Sequence, residues 1–173
     1  MSPRLSSFLL AALCVVAGQV RADELGEIRA LLAGGDAAAA LPRVEKAAAA
    51  NPRDVALRFL HGVVLMDLRQ DPEALAHFVA MTQDYPELPD PYNNMALLHA
   101  RAGRLELARQ ALEAALRNDP GHRTARANLG EVHLMLAAQA WDRAATAGPV
   151  DAALLRRLQG VRALLAMAPA AGR

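Results

Sequence analysis

Apolar side chains recur along this chain at spacings of three and four, the signature of a helix with one buried face. Leu25, Ile28, Leu31 and Leu32 predict a first helix over residues 23–32, closed by Gly34 and Gly35, with Asp36 as N-cap of the next. That second helix, residues 37–50, turns Leu41, Val44 and Ala47 inward; Pro42 falls within it, so it either starts later or kinks there. Leu57, Leu60, Val64 and Leu68 predict a helix over 55–68. Asp71-Pro72-Glu73 and Asp90-Pro91 each read as a cap followed by a proline opening a new helix, the first ending near Gln83. Further helices are expected over 92–102, closed by Gly103, over 105–117 and over 123–136. Residues 140–144 resemble a displaced second helix, and 150–167 a final amphipathic one.

The interruptions keep a period. Pro52, Pro86 and Pro120 recur at one constant interval. Each is preceded at a fixed offset by an alanine (Ala40, Ala74, Ala108) and, closer to it, by a larger apolar residue (Val44, Phe78, Leu112). A fixed period of about 34 residues marks supersecondary units that bury their apolar faces only by stacking. After His122 the period weakens: Leu129-Gly130 stays in phase, but no Gly or Pro breaks the chain again before Gly148-Pro149, and Asp142 holds the alanine slot. Small residues such as Gly62, Ala74, Ala96, Ala108 and Gly130 would let paired helices approach, while Phe78 and Leu112 fill between units.

Composition sharpens this. Apolar residues make up 54% of the chain and aromatics 3%, a profile for close-packed helices rather than sheet. Residues 1–22 read as a cleaved export signal: Arg4, an apolar run over 5–18, and a small-residue cleavage site ending at Ala22. That run is too short to span a bilayer. Cys14 lies deep in it behind the bulky Leu13, which disfavours lipid attachment. Cleavage would remove the only cysteine, so the mature chain has no disulfide. It would also remove Arg4 and Arg21, taking the net charge from +1 to 17 − 18 = −1. No basic face for nucleic acid is implied. Thr82, Thr124 and Thr146 are the only hydroxyl residues besides tyrosine after residue 22, and no Ser or Cys nucleophile is left. Metal binding lacks a ligand set: His99 and His133 recur at the interval of the prolines, and stacking between helices accounts for both. Trp141 reads as an anchor for the last helices or, if exposed, as a second contact point.

The chain resembles tetratricopeptide repeat (TPR) proteins. The segment from Pro89 to His122 carries Tyr92, Ala96, His99, Gly103, Leu105, Ala108, Leu112, Ala115 and Pro120 in the slots of that motif. Residues 55–88 carry Gly62, Leu65, Ala74, Phe78 and Pro86, and the first unit Leu31, Gly35, Ala40, Val44, Ala47 and Pro52. His61, Met95 and Met81 depart from it. The resemblance implies an all-α, right-handed α-solenoid: units at 23–54, 55–88 and 89–122, a degenerate fourth at 123–148, and a capping helix and tail over 149–173.

It also implies a binding face, the first helix of each pair. Asn94 and Asn128, in the same slot of successive units, would point the same way and hold a peptide backbone, since an amide donates and accepts; the alternative is that asparagine is common in this slot. Phe59, Val63, Met66, Asn93, Leu97, Arg101, Ala127 and Glu131 would surround them. TPR domains that take acidic carboxy-terminal tails use Lys, Asn and Lys where this chain has Phe59, Val63 and Thr124, and only Asn94 matches them, so an apolar segment or partner helix fits better. The expected function is a non-enzymatic, periplasmic adaptor with another envelope protein or peptide as partner and no cofactor or metal. The competing expectation is structural self-association through the C-terminal helices.

Overall fold

The computed structural model describes residues 24–167. The expected signal at 1–22, with Cys14, lies outside the described residues. Eight helices and no strand occur among the described residues: α1 (24–33), α2 (Ala37–Ala50), α3 (Val55–Asp67), α4 (Asp71–Asp84), α5 (Pro89–Arg101), α6 (Leu105–Asn118), α7 (Arg123–Ala147) and α8 (Ala152–Met167). They divide into two compact bodies, the first ending at Ala74 and the second starting at Leu75.

In the first body Ile28, Val44 and Val64 are fully buried and cluster with Ala40, Ala47, Leu57 and Leu60. Asp36 caps α2 as expected, its Oδ1 accepting from Ala39 N at 3.0 Å. Helix α2 runs unbroken through Pro42, which sits on the exposed side. Proline removes one intrahelical bond, to the carbonyl of Ala38, and Ala38 is exposed rather than packed in the core. Asp54 caps α3, accepting from Ala56 N at 2.9 Å and Leu57 N at 3.2 Å.

Two helix starts differ from the sequence reading. Asp71 lies inside the first turn of α4, whose first bond runs from Ala74 N to Gln70 O. Helix α5 starts at Pro89, ahead of Asp90, with Leu88 at the cap. Proline suits the first helical position, so Pro89 opens the helix before Asp90 can cap it.

The period is repeated in burial. Ala40, Ala74 and Ala108 are all at 0% exposure, and so are Val44, Phe78 and Leu112. The turns between paired helices repeat in the backbone too. Gly35, Arg69 and Gly103 hold one slot in successive units and have φ of +78°, +59° and +70°. Each N–H bonds to the carbonyl three residues back, and the next N–H to the one five residues before it: Gly35 to Leu32 and Asp36 to Leu31, Arg69 to Met66 and Gln70 to Leu65, Gly103 to Ala100 and Arg104 to His99. This left-handed closure costs a β-carbon about 1 kcal/mol or more, so Arg69 holds a glycine's position at a penalty. Pro86 and Pro120 sit exposed in the longer turns.

The second body packs α5 on α6, α6 on α7 and α7 on α8. Its core gathers Ala96, Ala108, Ala111, Leu112, Ala115, Ala125 and Val132. Two expectations fail here. The separate helix read at 140–144 is part of α7, which continues to Ala147. Gly130 faces open space, with nothing within 4 Å of a β-carbon built there, so it does not mediate a close approach.

Candidate functional site

Helices α5 and α7 carry the expected binding residues of the second body. Asn128 Nδ2 on α7 donates to Asn93 Oδ1 on α5 at 2.8 Å, and Asn93 Nδ2 reaches Asn94 Oδ1 at 3.4 Å. The three amides thus form a chain, Asn128 to Asn93 to Asn94, across the two helices. Asn93 is buried at 6% exposure; Asn94 and Asn128 are half-buried. An amide has more hydrogen-bonding positions than this chain consumes, so Asn94 and Asn128 each keep donors or acceptors at the surface.

Beside them is a cavity of ≈ 20 Å³ whose wall includes Leu97 and Ala100 from α5, Leu112 from α6, and Asn128, Glu131 and Val132 from α7. Leu97, Asn128 and Glu131 of the expected set therefore meet at one apolar notch. Its volume suits a small apolar group rather than a metabolite. Ala127 is exposed on α7, and Arg101 is half-buried at the end of α5.

On α3, in the first body, Phe59 and Val63 are half-buried, whereas Met66 is 6% exposed. Met66 belongs to the packing and offers a partner little surface. Gly62 is buried on the same helix.

Polar rungs also connect segments of the second body. His122, the N-cap of α7, accepts from Ala125 N through Nδ1 at 3.0 Å, and its Nε2 lies 3.0 Å from Asp90 Oδ1 in the first turn of α5. Asn118 Nδ2 donates to Pro86 O at 2.6 Å. Sequence reasoning missed these links and the central place of Asn93. The available signal was a near-period: Asn93 and Asn128 are 35 residues apart, one more than the repeat.

The histidine pair separates. His99 is half-buried and its Nδ1 accepts from Arg104 Nε at 3.2 Å. Burial, and secondarily the Arg104 cation, hold its pKa below the ordinary histidine value. His133 is exposed on α7, so stacking between helices does not describe it. Among the described residues no three His, Cys, Asp or Glu side chains converge as a metal set. No described helix is long and apolar enough to cross a membrane. Trp141 is half-buried on the distal half of α7.

That half of α7 borders an open hollow of ≈ 520 Å³, floored by Leu105, Met135, Ala138 and Leu165 and edged by Asp142 and Thr146.

Two family models, both described as tetratricopeptide repeat, match the chain, one over residues 25–89 and the other over 89–132. No curated protein matches it. Several solved structures do. The first TPR domain of human RPAP3 is 16% identical, with 68% of this chain and 92% of that one aligned at a TM-score of 0.62. The first TPR of Spaghetti (RPAP3), bound to an HSP90 peptide, is 17% identical over 69% of this chain and 94% of that one, TM-score 0.61. YrrB, described as a TPR protein with an unusual peptide-binding site, is 27% identical over 59% of this chain and 53% of that one, TM-score 0.55.

Proposed function

The chain belongs to the tetratricopeptide repeat family, and on that ground we propose that it is a non-enzymatic adaptor that holds a peptide segment or helix of another protein on its α5–α7 face. The observation that carries this reading is the amide chain Asn128–Asn93–Asn94 beside the notch at Leu97 and Val132. Amides that both donate and accept suit an extended backbone, and the notch suits one apolar side chain beside it. Peptide-bound relatives such as the first TPR of Spaghetti (RPAP3) support the class of ligand. Phe59, Val63 and Thr124 stand where an acidic tail would call for basic or amide groups, so the client segment is apolar rather than acidic. The export pattern at residues 1–22 supports a client in the cell envelope and a periplasmic site of action.

Asn94→Ala is the milder test, because it removes the longer 3.4 Å contact of the buried Asn93, whereas Asn128→Ala removes the 2.8 Å one. An unpaired buried amide costs about 1–3 kcal/mol. Asn94→Ala is expected to weaken capture of the client, found by cross-linking in the envelope, about tenfold, with a smaller loss of melting temperature than Asn128→Ala. Undiminished capture would reject the amide mechanism.

A second reading, self-association through α8, is favoured by one observation: Leu164 and Met167 are 55% and 80% exposed on what would be a capping helix. Stacked arrays need a polar outer face on the last unit. A single monomeric boundary at tens of micromolar in sedimentation would dismiss it.

A further inference from the structure

The start of α7 is capped by a histidine, and this is unusual within the repeat. The same slot holds Asp54 at α3, which caps through its carboxylate, and Leu88 at α5, which makes no side-chain cap. His122 does two things at once. The N–H of Ala125 can only donate, so Nδ1 must be unprotonated, and the ring proton sits on Nε2, directed at Asp90 Oδ1. The neutral ring therefore satisfies α7 and α5 together, with its side chain only 13% exposed.

Six residues further along α7, Asn128 makes the next link to α5 at Asn93. The two links, His122–Asp90 and Asn128–Asn93, tie the same pair of helices, which otherwise touch directly at few places. We propose that His122 is a positioning residue for the α5–α7 binding face, holding Asn128 in register with Asn93 while neutral and releasing the first turn of α7 when protonated. This rests on the reading of that face as the binding site.

Histidine is the side chain whose charge changes between pH 5 and 8. A proton added at Nδ1 would oppose the Ala125 N–H donor to donor, and a cation at a helix N-terminus also opposes the helix dipole. The charged group against the ring is Asp90 from α5; nearby in sequence are Asp119 in the preceding turn, whose Oδ1 accepts from Gly121 N, and Arg123 and Arg126 on α7. Arg126 is engaged with Pro120 O. Asp90 retains the cation on its side, so the bond that is lost is the cap. The loosened first turn then lets Asn128 shift against Asn93.

Proton–nitrogen NMR of the full chain without any client tests this. Between pH 7.5 and 5.5 the protection factor of the Ala125 amide is expected to fall about fivefold, the factor equivalent to one N-cap. The side-chain amide signals of Asn93 and Asn128 should move with the same midpoint. In His122→Asn, which keeps a capping oxygen, all three should be flat. A wild-type response that is absent, or a response of equal size in His122→Asn, would overturn the proposal. Since no client is present, failure of the adaptor reading leaves these signals untouched, and failure of the clasp leaves amide-dependent capture intact but independent of pH.

Discussion

From Pro89 to Asn118 the chain folds as a hairpin of two helices; from Arg123 to Ala147, over the same repeat frame, it is one continuous helix. The difference comes from a handful of equivalent positions in the two units. Gly103 adopts φ of +70° and closes α5, whereas its counterpart Ala137 stays helical inside α7. Ala108 and Leu112 are at 0% exposure, whereas Asp142 and Thr146 sit on the edge of an open hollow. Ala96 is buried at 1% against its partner helix, whereas Gly130 faces nothing. A turn residue and a buried pair make a hairpin; without them the alanine-rich segment simply continues, since alanine is the best helix former. The same repeat frame thus yields a packed unit in one place and an open edge beside α8 in the next.

The comparison is broken most severely in the core. Leu112→Ala should lower unfolding free energy by about 3 kcal/mol, the usual cost of emptying a packed leucine site, while Thr146→Ala in the equivalent slot stays within ~0.5 kcal/mol. Denaturant titration of both variants checks this; equal losses would mean that residue 146 is packed as residue 112 is.

The turns come next. Gly103→Ala forces a β-carbon into the left-handed region and should cost about 1–2 kcal/mol. Arg69→Gly does the reverse at the equivalent turn and should raise stability by about 0.5–1 kcal/mol, the residual gain after glycine's added unfolded-state freedom. Melting curves of the two variants should move in opposite directions. A gain of similar size is expected on α7, where Gly130→Ala meets open space and replaces a poor helix residue, worth about 0.5–1 kcal/mol. A loss there would mean that a second helix lies against Gly130 after all.

The smallest effect is a pH slope. Burial and Arg104 hold the His99 pKa below its unfolded value, so the unfolded chain takes up the proton first. Stability from this source is complete above the ordinary histidine range and declines as pH falls from that range toward the lowered folded value. His99→Gln keeps an acceptor for Arg104 and should flatten that part of the curve. An identical slope in the wild type and the variant would assign it to other groups.

Much of the fold was legible because the repeat encodes burial directly: the alanines at 40, 74 and 108 and the larger residues at 44, 78 and 112 all reached the core. Left-handed turns were legible at Gly35 and Gly103, where the residue type advertises them, and hidden at Arg69, where it does not. The continuity of α7 was half visible in the lack of Gly or Pro between Gly130 and Gly148. The candidate site was less legible. Asn94 and Asn128 could be picked out by their period, but the bond from Asn128 to Asn93 and the clasp of His122 on Asp90 depend on the rotation of α7 against α5. Helix rotation is fixed by the packing of Ala96, Leu112 and Val132 rather than by any local pattern.

The continuity of α7 is what separates the last repeat frame from the hairpin before it, and one distance measures it. Spin labels on cysteines introduced at the exposed Thr124 and Thr146, with Cys14→Ser, would stand at opposite ends of α7. A continuous helix places the two backbone positions about 33 Å apart at roughly 1.5 Å per residue, and pulsed dipolar spectroscopy should return a single narrow distribution near that value. A distribution centred at roughly 10–15 Å, as two helices packed side by side would give, would contradict the account.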